Sequence, residues 1–351
     1  GQLQNYLEDV FPSLGTKHHA LQPFNPIYYQ GNERASFTQK WYRSSQQEQE
    51  PTPFVKAPLR RDETFSCDHL AKLASFLRHP GKYFLTQRLG AHLDTQQIDL
   101  SHVEAFELDN LESFWLENEA LKLLVRNGDL EAFRQHKLNS GEVLPGTAGR
   151  QQLEAVIRRA DQVHQAIKPH ITAYPATRIG ELKFGNQKLQ FQLTNLHNGQ
   201  LVQFRAGVLR ARDELSLWVD HLAANMFEPT SSIFIARSKN KNADTCRLRP
   251  MADHLARQHL QQLLDYYGQG IEAPLFLPSN ASKRFVKNYL QGQAAETALA
   301  RTQTDWINDQ EGSEGKDRYW QRLFKFPQVF SDRFSDDALA IWKPLLEAQN
   351  D

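Results

Sequence analysis

The sequence predicts an α+β fold, close to α/β, in which a helical region leads into a small mixed sheet flanked by helices. Up to about residue 168, apolar residues recur every three or four positions, as on one face of a helix. Over 178–212 they alternate with polar residues, and the Asn198-Gly199 pair there is typical of a hairpin turn. Helical spacing then returns, interrupted by the short β-rich run 231–236. This order of elements is typical of an α+β fold or of an α/β fold with a mixed sheet.

Four helices are predicted before the sheet and at least three after it. The first should begin at an N-cap, Ser66, and its apolar face consists of Leu70, Leu73, Phe76 and Leu77. Tryptophans at helical core spacing are interpreted as packing residues: Trp115, Trp218 and Trp342. The helices are predicted over about 66–89 with a break at 79–81, 109–127, 130–138, 146–167, 215–223, 252–267 and 282–302, with short helices in the tail, 305–351.

The first 57 residues differ from the rest. Residues 20–29 contain two prolines, and proline fixes its own φ and favours extended geometry in the preceding residue. We therefore expect an extended strap over 1–57, whose polar stretch 44–53 is typical of a linker. A helical region over 58–140 and a sheet-containing domain over 141–351 should follow. The strap residues expected to pack on a neighbouring domain or a partner are Pro23, Phe24, Tyr28 and Tyr29.

Composition excludes several classes of protein. Lys and Arg together number 41, as do Asp and Glu, so the chain cannot coat nucleic acid by bulk charge and could bind it only through a local patch. Two cysteines exclude a disulfide framework and any four-cysteine metal site, and they indicate a reducing compartment. No apolar run reaches the roughly 18–20 residues that span a membrane. Because the chain begins with Gly1 and not Met, we expect it to be a piece of a longer protein.

The hairpin has the spacing of a metal-dependent nuclease site without its acids. Nucleases of the PD-(D/E)xK type end a hairpin with Asp/Glu-x-Lys, which places the acid and the lysine on one face of a strand. The acid holds Mg²⁺, and the lysine supports the nucleophile or the developing charge. Here the stretch is Gln203-Phe204-Arg205-Ala206-Gly207, and residues 194–196 supply no acid on the preceding strand. A neutral amide is a poor Mg²⁺ ligand and guanidinium does not deprotonate.

We interpret this pattern as a degenerate PD-(D/E)xK domain whose metal site is lost. The alternative is an ordinary polar hairpin. A second alternative is an active Mg²⁺ nuclease that uses Glu181 and Lys183, which form a Glu-x-Lys triplet before the hairpin, together with an acid from elsewhere. There is no Walker loop, no Gly-x-Ser-x-Gly elbow and no histidine pair with the spacing of a zinc protease. We expect no metal site in this chain.

A basic segment follows the hairpin. Residues 205–249 contain eight basic side chains and five acidic ones, an excess that suits local contact with phosphate. Within it, 237–244 is predicted to be a polar loop, and a solvated loop is the alternative interpretation of its charges. The candidates for contact with DNA are Arg205, Arg210, Arg212, Arg237 and Lys239.

Six short motifs, in order, resemble the C-terminal region of the exodeoxyribonuclease V gamma chain (RecC) family. They cover nearly the whole chain, with small departures such as Ala105 at a position where the family has proline. The motifs are the strap 21–41 with its Pro-Phe-x-Pro start, Phe76 to Leu89 around His79-Pro80, Glu104 to Leu111, Leu144-Pro145-Gly146, Leu217 to Leu222 with Trp218 and His221, and Glu314 to Trp320.

The resemblance implies a non-catalytic module in a bacterial helicase–nuclease of DNA double-strand-break repair and homologous recombination. Its implied partners are the beta chain (RecB), the alpha chain (RecD), double-stranded DNA ends and the separated single strands. Mg²⁺ and ATP would be used by the partner subunits, with no cofactor in this region. A cytoplasmic location and no membrane contact are implied as well. A pure scaffold that never touches DNA is the remaining alternative.

Overall fold

The computed structural model describes residues 6–7, 9–11, 19, 25–29, 54–60, 63–93, 110–238, 243–308, 314–326 and 328–349. The chain divides into two compact units, 1–52 and 53–351. In the first unit Pro26–Tyr29 form a 3-10 turn, in which Tyr28 is almost buried and stacks on His19 with ring centroids 6.0 Å apart. Tyr29 is partly buried, whereas Pro23 and Phe24 lie outside the described residues. Packing of the strap on a domain or partner therefore stays a prediction.

The second unit is built on a five-stranded mixed sheet. The strands follow one another across the sheet in chain order, and only the third and fourth run parallel. This confirms the predicted α+β class and mixed sheet. The strands are β1 Ala176–Phe184, β2 Gln187–His197, β3 Gln200–Val208, β4 Ser231–Arg237 and β5 Asp244–Leu248. Strand β5 was not predicted, because its five residues offer only two buried apolar side chains.

Helices cover both faces of the sheet. Those of six or more residues in the described part of the chain are α1 Leu70–Arg78, α2 Asn110–Val125, α3 Leu130–Asn139, α4 Gly146–Ile167, α5 Ala211–Asn225, α6 Asp253–Glu272, α7 Ser279–Leu290, α8 Ala295–Asn308, α9 Arg318–Leu323 and α10 Asp332–Ala348. The predicted helix over 282–302 is in fact two, α7 and α8, because the chain turns at Gly292 with φ 90°.

Strict alternation along the strands creates two separate cores. Val202 and Ala206 of β3 and Ile233 of β4 pack against α2 and α4 on one face. The neighbouring residues Leu201 and Phe234 point the other way, into a larger core built with α1, α5, α6, α7 and α10. The second unit therefore has three layers, with the sheet in the middle.

Two predicted details of the helices are wrong. The first helix begins at Leu70 and not after Ser66. The backbone carbonyl of Asp68 accepts a 2.7 Å hydrogen bond from the backbone N–H of Gln190 in β2, and this bond holds the chain extended before the helix. Trp218 and Trp342 are buried as predicted, but Trp115 is 64% exposed. The buried face of α2 is set by Leu116, one residue further on, and consecutive helical residues point about 100° apart.

Candidate functional site

Strand β3 places Gln203 and Arg205 side by side on the face covered by α5. The Gln203 amide Nε2 donates a 2.6 Å hydrogen bond to Oδ2 of Asp220. Arg205 Nη1 lies 3.0 and 2.9 Å from the two carboxylate oxygens of Asp213. Both acids belong to α5, so Gln203 and Arg205 are each bonded to a carboxylate of that helix.

Asp213 is fixed by three interactions at the start of α5. Besides Arg205, its carboxylate accepts a 3.1 Å hydrogen bond from the backbone N–H of Arg210. A carboxylate in the first turn of a helix is also stabilised by the helix dipole. The guanidinium of Arg205 lies over the ring of Phe114 at 5.0 Å, and only 16% of its side chain and 8% of that of Asp213 are exposed. The charge of Arg205 is therefore largely neutralised within the fold.

Asp220 is a carboxylate in an unfavourable environment. Burial raises the pKa of Asp220 to about 7, and the hydrogen bond from Gln203 opposes that rise. Proteins usually hold Mg²⁺ through one or two carboxylates, with waters and substrate phosphates as the other ligands. Asp220 offers one carboxylate, and its Oδ2 already accepts the hydrogen bond from the Gln203 amide, so this pair is a poor fit for such an ion.

A cleft of about 1100 Å³ opens where β2 and β3 separate. The two strands pair only at Leu196–Leu201 and His197–Gln200. Asn195 of β2 has a left-handed backbone, φ 60°, at a register shift between β1 and β2. Asparagine tolerates this conformation better than most residues. The floor of the cleft is formed by Gln192, Thr194, Asn195, Gln203, Phe204 and Asp220.

Helix α2 supplies a hydrogen-bond partner to β3 where β3 is no longer paired with β2. On the open side of β3, the Ala206 N–H donates a 3.0 Å hydrogen bond to Oδ1 of Asn118. A buried backbone donor must be paired, and here a helix side chain replaces a strand carbonyl. Helix α2 therefore satisfies β3 where β2 has separated from it, and Gln203 lines the cleft between the two strands.

The remaining predicted DNA contacts lie in two places. Arg210 is exposed and Arg212 partly buried at the start of α5. Burial, and then the nearby positive charge of Arg210, lower the pKa of Arg212. Arg237 ends β4, with Nη1 3.8 Å from the buried carboxylate of Glu117 on α2. Lys239 falls outside the described residues.

The rival pair, Glu181 and Lys183, lies on the exposed face of the edge strand β1. Glu181 is 3.5 Å from the ammonium of Lys188 on β2. Across the described ranges, no group of three or more His, Cys, Asp or Glu side chains is arranged to hold a metal ion. Nor is any helix in those ranges long and apolar enough to cross a membrane.

Sequence reasoning missed the acids that partner the hairpin. Asp213 and Asp220 are seven residues apart and so lie on one face of α5. That spacing was a signal that a polar face of the helix meets β3. Sequence reasoning also missed four residues that line the cleft, because they come from separate parts of the chain. They are Lys122 and Arg126 at the end of α2, Lys168 after α4 and Tyr174 before β1.

Residues 68–290, from α1 to α7, match the family model for the RecC C-terminal domain. The curated relatives include the RecBCD enzyme subunit RecC of Escherichia coli strain K12, 24% identical over 325 residues that cover 88% of this chain and 28% of the relative. The RecBCD enzyme subunit RecC of Buchnera aphidicola subsp. Schizaphis graminum is 24% identical over 221 residues, 63% of this chain and 20% of the relative. The chain thus spans less than a third of the length of these relatives. The family model, however, matches well over half of this chain and includes the whole sheet, and the chain therefore belongs to the RecC C-terminal domain family.

Proposed function

We propose that this chain is a non-catalytic C-terminal module of a RecC-like subunit, and that it contributes to subunit assembly and to splitting and guiding DNA strands. One observation carries the proposal: at the metal positions of the hairpin, Gln203 is bonded to Asp220 and Arg205 to Asp213. A Mg²⁺ nuclease needs free carboxylates that converge on the ion. An amide and a guanidinium, each satisfied by its own acid, supply none.

The start of α5 is the proposed contact with DNA phosphate. Arg210 is exposed and Arg212 is partly buried without a described ion-pair partner, so both retain charge for an incoming anion. Arg205 is bonded to Asp213, and we assign it mainly to holding the helix start in place. Arg237, which ends β4, and Lys239, which lies outside the described residues, are proposed as secondary contacts.

The proposed partners follow from the relatives. They are named subunits of the RecBCD enzyme, and we propose the corresponding beta chain (RecB) and alpha chain (RecD) as the proteins that this chain meets. Its nucleic-acid partners would be double-stranded ends and separated single strands. Mg²⁺ and ATP would serve the partner subunits, in the cytoplasm. The strap residues Tyr28 and Tyr29, with Pro23 and Phe24, are proposed for packing within this assembly.

Binding of the 351-residue chain to forked DNA over a salt series tests the proposal. The double variant Arg210→Gln/Arg212→Gln should weaken binding and flatten the dependence of log affinity on log salt by roughly 2, since each phosphate contact contributes a slope of about 0.9. Arg247→Gln is the matched control, because Arg247 is an exposed arginine that pairs with Ile233 and faces the opposite side of the sheet. No binding at low salt would support a pure scaffold.

A further inference from the structure

Three exposed cations are among the residues that line the cleft between β2 and β3. Lys122 and Arg126 lie one turn apart at the end of α2, and Lys168 follows the last residue of α4. All three side chains are exposed, and none of them forms an ion pair with a described residue. Three uncompensated positive charges around one opening attract an anionic ligand.

The interior of the cleft carries little opposing charge. Its lining includes the amides of Gln192, Asn195 and Gln203, and its one described acid, Asp220, is already bonded to Gln203. His197 accepts a 2.9 Å hydrogen bond at Nδ1 from the Thr172 N–H, and burial lowers its pKa. His164 lies 3.6 Å from Asp161, the nearest acid on α4. Amide and hydroxyl groups can donate to and accept from both phosphates and bases.

An exposed aromatic ring lies at the same opening. Tyr174 is 92% exposed, far more than most large apolar rings. Its segment is nevertheless held in place, because Thr172 donates its hydroxyl to the Tyr174 carbonyl at 3.3 Å and its N–H to His197. A positioned, exposed ring beside cations is the combination on which unpaired bases stack.

We propose that this cleft binds an uncut single strand of nucleic acid, with phosphates on Lys122, Arg126 and Lys168 and a base stacked on Tyr174. The inference rests on the proposed function and adds a second site to it, apart from the arginines at the start of α5. The volume, about 1100 Å³, exceeds the roughly 300–1,000 Å³ of most small-molecule pockets and suits a polymer segment. A duplex would not present a base face to Tyr174.

Fluorescence anisotropy with labelled oligothymidine and the 351-residue chain tests the cleft. The triple variant Lys122→Gln/Arg126→Gln/Lys168→Gln should bind at least tenfold more weakly at low salt and lose about 2 in salt slope, since single-strand contacts contribute about 0.7 each. Tyr174→Ala should lose at least about fivefold in affinity, whereas Tyr174→Phe keeps the stacking face and should bind as before. Arg247→Gln and Tyr289→Ala, each at an exposed residue that does not line the cleft, are the matched controls. Thermal melts confirm that each variant is folded.

The outcomes separate this inference from the proposed function. If the triple variant and Tyr174→Ala both bind oligothymidine as the wild type does, the cleft is not a single-strand site. That conclusion holds even if Arg210→Gln/Arg212→Gln still weakens binding to forked DNA. An acidic peptide that competes as well as oligothymidine, together with no effect of Tyr174→Ala, also overturns it, because the opening would then select charge alone. A photo-crosslink from 5-iodouracil in the oligonucleotide to Tyr174 supports it directly.

Discussion

Gln203 and Asp220 are joined by a 2.6 Å hydrogen bond from the amide nitrogen to a carboxylate oxygen. A carboxylate at position 203, as in a metal-dependent nuclease, would repel Asp220 unless a cation or a proton lay between them. The side-chain amide of Gln203 instead points its N–H, the positive end of its dipole, at the Asp220 carboxylate. The Gln203 amide and the Asp220 carboxylate thus satisfy each other within the protein, and both residues line the cleft between β2 and β3.

Asp220→Asn should remove a pH-dependent loss of stability. The folded chain binds the Asp220 proton more tightly than the unfolded chain, because burial raises the pKa to about 7. Stability therefore falls by about 1 kcal/mol per pH unit between about pH 4 and pH 7, where Asp220 is ionised in the unfolded chain but still protonated in the folded one. Urea unfolding at pH 5 and pH 8 should show that the free energy of unfolding of Asp220→Asn, relative to that of the wild type, is higher at pH 8 than at pH 5. Asp265→Asn, an exposed acid on α6, controls for loss of a carboxylate. If the difference in unfolding free energy between Asp220→Asn and the wild type is the same at both pH values, the assignment of a raised pKa to Asp220 is wrong.

Asp213→Asn should destabilise the chain by about 3 kcal/mol, because it leaves the largely buried guanidinium of Arg205 without its partner. The matched control is Asp253→Asn. Asp253 also lies in the first turn of a helix, α6, but its side chain is 81% exposed, and its loss should cost less than about 0.5 kcal/mol. Chemical denaturation of both variants measures the difference. Equal costs for the two would mean that the Arg205 pair contributes nothing.

His79 and Asp317 bring two of the sequence motifs together. His79 Nε2 lies 3.2 Å from Asp317 Oδ1, and the His79 ring stacks on Trp320 at 4.4 Å. Asp317 also caps α9, accepting from the N–H groups of Tyr319 and Trp320. Asp317→Ala should cost about 2 kcal/mol, against about 1 kcal/mol for an ordinary N-cap.

Asp129→Ala is the matched control, since Asp129 caps α3 through two N–H groups and has no histidine beside it. Burial acts to raise the pKa of Asp317, but the contact with His79 and the two N–H groups outweigh it and lower the pKa below its usual value. The stabilisation is therefore present above about pH 4 and is lost as the pH falls below it. Unfolding at pH 7 and pH 3 should show the cost of Asp317→Ala shrinking in acid. A cost that is larger at pH 3 would contradict the assignment.

His221 should make the fold sensitive to mild acid. It is fully buried, its Nδ1 lies 2.8 Å from Ser232 Oγ, and burial lowers its pKa to about 4. The unfolded chain takes up this proton from about pH 6.5 downwards, so the folded state loses about 1 kcal/mol per pH unit until about pH 4.

Comparing stability at pH 7 and pH 5 by urea unfolding tests this. His221→Gln should lose less than the wild type over that interval, because glutamine does not titrate. His254→Gln, at a residue whose side chain is 74% exposed, is the control for removing a histidine. Parallel losses in wild type and His221→Gln would show that His221 does not set the acid response.

The spacing of apolar residues predicted most of the helices and strands, because in those segments the apolar positions are also the ones that are buried. The run Leu189-Gln190-Phe191-Gln192-Leu193 alternates strictly and lies in β2, with its apolar residues buried. Two failures arose from distant contacts. The start of α1 is displaced by the bond between Asp68 and Gln190, and β5 is short and depends on β4 for its pairing.

The candidate site was predictable only in part. Period-two alternation on a strand predicts that Gln203 and Arg205 share a face. It does not predict that α5 docks so that Asp213 and Asp220 meet them, since tertiary packing decides that choice. The cleft depends on the left-handed backbone of Asn195, and nothing in the sequence around it marks that turn. The cations at its mouth come from separate helices that the fold brings together.

Incubating the purified 351-residue chain with end-labelled single-stranded DNA and Mg²⁺ distinguishes a non-catalytic module from a nuclease, when native and denaturing gels are run on the same samples. A non-catalytic guiding module should retard the DNA in the native gel in a salt-sensitive way and leave it at full length in the denaturing gel. Mg²⁺-dependent digestion that Glu181→Ala abolishes, and that Glu296→Ala at an exposed acid of α8 leaves unchanged, would contradict the account.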